Sequence, residues 1–416
     1  MHPHRTALHN ELHARPSLYF NEPAHVFHIA LLDQGGVSAA VIDALAQGAA
    51  QPAPNGSAQG VVQLDGHPLK WERHAEFFTL TLVQPKQTNS EFWPPLPAAL
   101  QALIEPHRAL IINAVQILVE SEQHWEGHNA RYGFKDPAGS QIGGGDAVVW
   151  SDFRLCHEGR NRILLVNRKL NAYRLGRMIR RLLEIETYRM MASLTLPVAQ
   201  AVDRQLKEYD QQLASLSDRN ADPAATNAKQ LLSAIALLSA TIVRSTAIHR
   251  QRFSAAEAYA QLVFERITEL RESHVGDCQR LGIFIERRFK PTVRYCAVTD
   301  QRLARLGQSV ANLGELLQTR VQVEVEEQNS EILRSLNSRA STQIKIQKAV
   351  EGLSIIAISY YLLSLFKLGV EGAHSLGLDL SPQLAASLFG PLALLLIGGI
   401  ALRIRKAKRH GSADPG

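Results

Sequence analysis

Histidines are concentrated at the start of the chain, at spacings that metal sites use. Of the 16 histidines, six lie in the first 28 residues: His2, His4, His9, His13, His25 and His28. On a helix, His9 and His13 would share one face, with Glu11 nearby. The order His-Asn-Glu-Leu-His lacks the glutamate position of a zinc protease. The segment therefore indicates either a metal site or structural histidines hydrogen-bonded around Arg15.

A second set of ionisable residues lies at 71–77 (WERHAEF). If this segment is a strand, alternation places Glu72, His74 and Glu76 on one face. The other face then carries Trp71, Arg73 and Phe77. Three ionisable groups on one face could bind a divalent cation or act as acid and base. They fit equally well as a solvated face or as salt-bridge partners for arginines of the later helices.

We expect the two segments to meet, because residues 8–16 (LHNELHARP) carry many groups of defined geometry for so short a stretch. Arg15 would then pair with Glu72 or Glu76, which would otherwise be costly to bury. The same packing would gather His9, His13 and His74. The result is either a structural salt-bridge cluster or a regulatory cation site. We assign no catalytic residue, since the sequence carries neither a phosphate-binding glycine loop nor a nucleophile elbow.

The first 170 residues alternate short β-rich runs with turn signals, which predicts an α+β domain with a largely antiparallel sheet. Asp65-Gly66 is typical of a hairpin turn, and Gly143-Gly144-Gly145 of a turn or hinge. The predicted helices lie at 37–49 and 96–104. The β-rich runs lie at 26–32, 61–64, 69–83, 109–119, 147–155 and 163–166.

Residues 171–290 have helical periodicity and predict an antiparallel helical region. Pro197 predicts a kink or break in a helix over 172–216. Two further helices are expected at 224–252 and from Ser254, where Ser254 and Glu257 form a capping box, to about 273. The apolar run 231–243 is too short for a membrane span, so we expect a buried core helix there.

Residues 291–351 predict one long amphipathic stalk helix that starts at Pro291 and enters the membrane. With the span it would cover nearly 80 residues, on the order of 115 Å. Its apolar stripe needs cover from the upstream helices or from other copies in a coiled-coil oligomer. The stripe consists of Val310, Leu313, Leu317, Val321, Val325, Ile332 and Leu336.

Two apolar runs, 352–369 and 384–402, are each long enough to span a membrane, with an outer connector at 370–383. Basic residues flank them on one side only, so both termini of a multi-pass plasma (inner) membrane protein would be cytoplasmic. The flanking residues are Arg339, Lys345 and Lys348 before the first span, and Arg403, Arg405, Lys406, Lys408 and Arg409 in the tail 403–416.

The net charge of +6 reflects this basic tail, which favours lipid headgroups over nucleic acid as its partner. The three cysteines, Cys156, Cys278 and Cys296, are widely spaced and suit a reducing compartment. The polar, histidine-rich start of the chain predicts that it carries no signal peptide.

Four blocks carry a family resemblance: residues 8–16 (LHNELHARP), 71–77 (WERHAEF), 181–188 (RLLEIETY) and 348–361 (KAVEGLSIIAISYY). Over nearly its whole length the chain resembles a bacterial family of predicted membrane-anchored proteins catalogued as domain of unknown function number thirty-four twenty-two. The resemblance implies membership and a membrane anchor, but no activity, substrate or catalytic residue.

The order of elements is also similar in layout to CorA-type divalent-cation channels, which are pentamers with the first span lining the pore. Those channels carry Gly-Met-Asn after that span, whereas residues 366–372 here read FKLGVEG, with a lysine that would repel cations. Three functional readings follow. The first is an oligomeric membrane-anchored interaction or sensing module without catalytic activity, and the second is a divergent transporter with Ser354, Tyr361 and Ser364 facing a pore. The third, the least favoured, is an enzyme that uses the His9/His13 and Glu72/His74/Glu76 clusters at one site.

Overall fold

A computed structural model describes residues 1–10, 18–48, 58–87, 91–125, 127, 129–221 and 227–375, with scattered single positions between 383 and 402. The chain divides into two compact units, Met1–Leu317 and Gln318–Gly416. The strands are β1 (Ala24–Leu32), β2 (Gln59–Leu64), β3 (His67–Arg73), β4 (Phe77–Pro85), β5 (Ile111–Ser121), β6 (Ala138–Ile142), β7 (Ala147–Ser151) and β8 (Asn161–Asn167). The helices are α1 (Arg5–Asn10), α2 (Val37–Gly48), α3 (Ala98–Ile104), α4 (Ala172–Ser193), α5 (Thr195–Ala221), α6 (Ala228–Glu269) and α7 (Leu281–Ser375).

The eight strands form one sheet in the order β2-β3-β4-β1-β5-β8-β7-β6. All neighbours are antiparallel except β5 and β8, which are parallel. The predicted α+β domain with a largely antiparallel sheet, followed by long helices, is therefore confirmed. Asp65 and Gly66 connect β2 to β3 with positive φ angles of 50° and 78°, which is the backbone of a tight hairpin turn.

The sheet is covered by three hydrophobic clusters, of which the smallest surrounds Trp150, Leu118 and Leu164. One face packs against α4, and the first part of α7 and the end of α6 complete that core with Ile285, Phe289 and Val263. The other face packs against α2 and α3 around Trp71 and Phe78. Because side chains alternate along a strand, neighbouring residues of β1, β3 and β4 serve different cores.

The predicted single run 69–83 is wrong, because residues 74–76 form a bend between β3 and β4. That interruption puts Trp71 in the core beneath α2 and α3 and Phe77 in the core beneath α4, so they do not share a face. The β-rich runs predicted from the sequence also did not include β6, whose sequence AGSQI has little β character. Gly139 is required there, since a Cβ would lie 2.4 Å from Cδ1 of Trp150.

The helical boundaries differ from the predictions at two places. Ser254 does not start a helix, because α6 runs through it and buries Phe253 and Ala256 on either side. The long helix starts at Leu281 and contains Pro291 in its interior. Apolar residues packed on both sides of Pro291, such as Phe289 and Cys296, hold the helix together there.

Pro197 marks the predicted break, since α4 ends at Ser193 and α5 begins at Thr195. Helices α6 and α7 run antiparallel: Ile267, Ile242 and Ile235 of α6 lie nearest, in that order, to Gly282, Gly307 and Gly314 of α7. At Gly282 the lack of a side chain lets the two helices approach closely, since a Cβ there would lie 2.6 Å from Cγ2 of Ile267.

The apolar run 231–243 is only half buried. Leu231, Ile235 and Ile242 are buried, whereas Leu237 is 71% exposed and Val243 63% exposed. Among the described residues, α6 and α7 are both long and apolar enough to cross a membrane, judged by length and composition. The predicted second span, its connector beyond residue 375 and the basic tail lie largely outside the described residues.

Candidate functional site

A cavity lies between the sheet and α4, and it contains charged groups that a hydrophobic core normally excludes. Strands β1, β3 and β4 form its floor and α4 its roof, while Leu18 and Phe20, just before β1, close one side. The volume of the cavity is about 50 Å³, which is room for roughly four ordered waters.

Lys70 and Glu72 of β3 form an ion pair in the cavity wall, 2.9 Å between Nζ and Oε1. Only 4% of the Lys70 side chain is exposed. Burial lowers the pKa of Lys70, although Glu72 acts against it. Burial tends to raise the pKa of Glu72, but Lys70, with His74 and Arg180, outweighs it and lowers the pKa. Glu72 is therefore a carboxylate with a buried cationic partner.

His28 of β1 is buried at the cavity floor with a threonine on each ring nitrogen. Nδ1 lies 2.8 Å from Oγ1 of Thr81, and Nε2 lies 3.0 Å from Oγ1 of Thr187. Asn113 also donates to Thr187, at 3.2 Å. Burial lowers the pKa of His28 to about 4, so its ring is neutral at pH 7.

Arg180 and Glu184 bring a second ion pair from α4 to the cavity wall, and Arg180 Nε donates to Glu184 at 2.7 Å. Arg266 of α6 also donates to Glu184. Burial tends to lower the pKa of Arg180, but Glu184 and Glu72 raise it. Both carboxylates in the wall, Glu72 and Glu184, thus already have a cationic partner.

Glu76 belongs to a different contact, at the bend between β3 and β4. Its carboxylate accepts from Arg252 at 3.2 Å and from the Tyr259 hydroxyl at 3.0 Å, both on α6. Burial, and next the Glu76 charge, raise the pKa of Tyr259. His74 stacks on Phe77, with ring centroids 4.1 Å apart, and lines the cavity. Glu76 therefore fixes the bend to α6, which is the salt-bridge alternative drawn from the sequence.

The predicted clusters are only partly within the described residues. His9 is exposed on α1, while His13 and Arg15 lie outside the described residues. Glu72 and His74 line the cavity, but Glu76 does not. Within the ranges that the structure describes, no group of three or more His, Cys, Asp or Glu side chains is arranged to hold a metal ion. A cation site that includes His13, and a pairing through Arg15, stay predictions.

The residues assigned to a pore all lie on α7. Tyr361 and Ser364 are exposed on the helix, and the Ser354 hydroxyl donates to the Val350 carbonyl at 2.9 Å. Lys345 and Lys348, predicted to flank the membrane, are exposed on the same helix. Arg403, Arg405, Lys406, Lys408 and Arg409 lie outside the described residues.

Reasoning from sequence missed most of the cavity. Lys70 carried a signal, because it continues the alternation of Glu72 and His74 along the same strand face. Glu184 and Thr187 lie in the block 181–188, and Glu72 and His74 in the block 71–77. Two of the four blocks that carry the family resemblance therefore meet at this cavity. His28 and Thr81 carried no signal, since only the pairing of β1 with β4 brings them together.

Comparison with known proteins gives a family and no activity. No curated protein matches the chain, and no solved structure matches it. The similarity in layout to CorA-type channels therefore stays a prediction. A family model described as Protein of unknown function (DUF3422) matches residues 1–410. Because that match covers nearly the whole sequence, the chain belongs to this family.

Proposed function

We propose that this protein is a membrane-anchored sensing module, whose sheet domain faces the cytoplasm and binds a small ligand in the cavity beneath α4. The observation that carries the anchor is the apolar end of α7. The observation that carries the ligand is a cavity that combines an apolar wall with a few convergent polar groups, as small-molecule sites do.

The apolar end of α7 has one partly exposed stripe, which includes Ile355, Leu362 and Phe366, and is otherwise exposed. The other large apolar side chains from Leu353 to Leu368 are between 48% and 77% exposed, and none of the most apolar 18-residue window of α7 is buried. Each Å² of apolar surface left in water costs about 25 cal/mol. A helix that is apolar all round is stable in the hydrocarbon of a membrane rather than in water.

The charges before this segment support the orientation. Arg339, Lys345 and Lys348 are exposed on α7 just before the apolar stretch, and basic residues favour the cytoplasmic side of a span. Since α7 also starts inside the core of the sheet domain with Leu281 and Ile285, one continuous helix links the domain to the anchor. A ligand that shifts the packing of α4 on this core would change the environment of the first turns of α7.

Reporter fusions to the full-length protein test the anchor. Green fluorescent protein, which fluoresces only when folded inside the cell, is fused before Met1 or after Gly416. Alkaline phosphatase, which is active only outside, is fused after Gly372. We expect both fluorescent fusions to fluoresce and the phosphatase fusion to be active, with the protein in the membrane fraction after carbonate washing.

The same fusions discriminate between the two candidate helices. If α6 also crossed the membrane, the two termini would lie on opposite sides and only one fluorescent fusion would fluoresce. That result would overturn the orientation. A protein released by carbonate, with an inactive phosphatase fusion, would overturn the anchor itself.

A further inference from the structure

We propose that the ligand of the cavity is a small carboxylate with an apolar body. This inference rests on the sensing role proposed above and names the chemical class that the site recognises. Three observations carry it: the surplus of N–H donors in the wall, the hydrogen bonds around His28, and the apolar side chains facing the charged end.

The charges of the wall balance, with two cations and two carboxylates, so the choice between an anion and a cation depends on the hydrogen-bond donors. Glu72 is paired with Lys70, and Glu184 with both Arg180 and Arg266. A cationic ligand would therefore find no unneutralised carboxylate among the described residues that line the cavity. The donors are in excess, because Lys70 has three N–H groups and Arg180 has five. Lys70 bonds to Glu72 and Arg180 bonds to Glu184, which is one acceptor for each side chain.

The hydrogen bonds around His28 add a neutral donor. Thr187 accepts from Asn113, and we assign its own hydroxyl proton to Nε2 of His28. With that assignment the neutral ring carries its proton on Nδ1 and donates to Thr81. Asn113, Thr187 and His28 then each donate to an acceptor, as buried polar groups require. The spare proton is that of the Thr81 hydroxyl, which lines the cavity.

Thr81 and Lys70 are direct cross-strand partners, as are Thr81 and His28. Thr81 and Lys70 are therefore neighbours on the cavity floor, where Arg180 also lines the wall. Carboxylates favour such a set, because charge-assisted hydrogen bonds to an anion are about twice as strong as neutral ones. The geometry matches a carboxylate with two cationic donors and one hydroxyl.

The rest of the wall selects the body of the ligand. Leu18, Phe20, Val26, Val83, Ile179 and Leu183 surround the space beyond the charged end. A short alkyl or phenyl group would be removed from water there, which stabilises it by ~0.8 kcal/mol per methylene. The cavity of about 50 Å³ is partly open, so it encloses the first few carbon atoms of the body and a longer chain extends out of it.

Calorimetric titration of the detergent-solubilised full-length protein tests the proposal. The probes are hexanoate, hexylamine and hexanol, which share one body and differ in charge, each corrected by titration into detergent alone. We expect hexanoate to bind and the other two to bind at least about tenfold more weakly. Hexylamine or hexanol binding as tightly as hexanoate, or no heat from hexanoate, would overturn the carboxylate assignment.

Two neighbouring arginines of α4 provide a matched pair of variants. Arg180→Gln removes a cavity donor, whereas Arg181→Gln removes an ion pair with Glu269 outside the cavity. We expect Arg180→Gln to weaken hexanoate binding by about tenfold or more and Arg181→Gln to leave it within about twofold. Equal effects of the two variants would overturn the role of Arg180.

Thr81→Val is a second variant of nearly unchanged shape that removes the hydroxyl donor, and its circular dichroism establishes whether it has folded. We expect it to weaken hexanoate binding, and an unchanged affinity in folded protein would contradict the role of Thr81.

Membrane orientation and carboxylate binding are measured separately. A failed titration with correct reporter topology leaves the anchor in place, and binding by a chain of different topology leaves the ligand class in place.

Discussion

The two buried histidines of β1 differ in what surrounds them. His28 has a threonine on each ring nitrogen, whereas neither ring nitrogen of His25 has a hydrogen-bond partner in the part of the chain that the structure describes. Burial lowers the pKa of both to about 4, assisted at His25 by Lys86, which is paired with Glu120. The Glu72 charge tends to raise the pKa of His28, but burial outweighs it. Both rings are therefore neutral in the folded protein at pH 7.

This pair predicts acid sensitivity. The unfolded chain has histidine pKa values near 6.5, so unfolding takes up two protons between pH 6.5 and about 4. The contribution is fully present above pH 6.5 and is lost as the pH falls through this window, by about 3 kcal/mol per histidine. Denaturant unfolding of the solubilised protein at several pH values measures the slope.

His25→Phe separates the two histidines. Phenylalanine leaves no buried nitrogen unsatisfied, so we expect the variant to be as stable at pH 7 as the wild type, or more stable by about 1 kcal/mol. Its acid slope should be smaller by one proton. His157→Phe is the control, because His157 is exposed and should leave the slope unchanged. A His25→Phe variant with the wild-type slope would contradict the buried, neutral state of His25.

At the scale of single residues, alternation along a strand predicts position only over a short range. Glu72 and His74 both line the cavity, but treating 69–83 as one strand missed the bend that turns Glu76 towards α6. The partners of His28 come from β4 and α4, more than 50 and 150 residues away along the chain. Local periodicity holds no information on such contacts.

At the scale of elements, Gly176 of α4 determines how closely the segment before β1 can cover the cavity. A Cβ at this position would lie 2.0 Å from the carbonyl oxygen of Leu18. Tyr19 is also held to α4, with its ring 4.5 Å from that of Tyr173. The close approach of backbone to helix requires glycine here, although glycine weakens a helix interior.

We therefore expect Gly176→Ala to destabilise the protein. Alanine is worth about 1 kcal/mol more than glycine in a helix interior, but the backbone clash requires a shift that costs about 1–3 kcal/mol. Gly314→Ala is the matched control on α7, because its Cβ would meet Ile235 Cγ2 at an ordinary 3.5 Å. That variant should gain stability in the same denaturation experiment. A gain for both variants would show that the Leu18 segment moves aside freely.

The sequence predicted a secondary-structure element correctly where the local preferences of its own residues determine the structure. The β1 strand, the turn at Asp65-Gly66 and the break near Pro197 result from local preferences, and all three occur. Tertiary packing overrode local signals elsewhere. The capping box at Ser254 and the proline at 291 both lie inside helices, because buried neighbours such as Phe253 and Phe289 continue the packed face past them.

At the scale of the whole molecule, the apolar stripe of α7 changes character at the boundary between the two units. Val310, Leu313 and Leu317 are buried in the first unit. In the second unit, Val325, Ile332 and Leu336 are 45%, 57% and 54% exposed. These three positions fall on one side of a helix with 3.6 residues per turn. Among the described residues, the stripe predicted from sequence is thus covered only in its first part.

We expect the exposed part of the stripe to mediate self-association, because an uncovered apolar stripe on a helix is stabilised by packing against another helix. Leu336→Glu should weaken the association by about tenfold or more, since burying a leucine contributes about 1.5–3 kcal/mol and each copy supplies one.

Val323→Glu is the control, because Val323 is also about half exposed but lies roughly half a turn round the helix from Ile332. Light scattering of the solubilised protein over a wide concentration range gives the mass. A monomeric wild type would mean that no second copy covers the stripe, and equal dissociation by both variants would mean that association does not use this face.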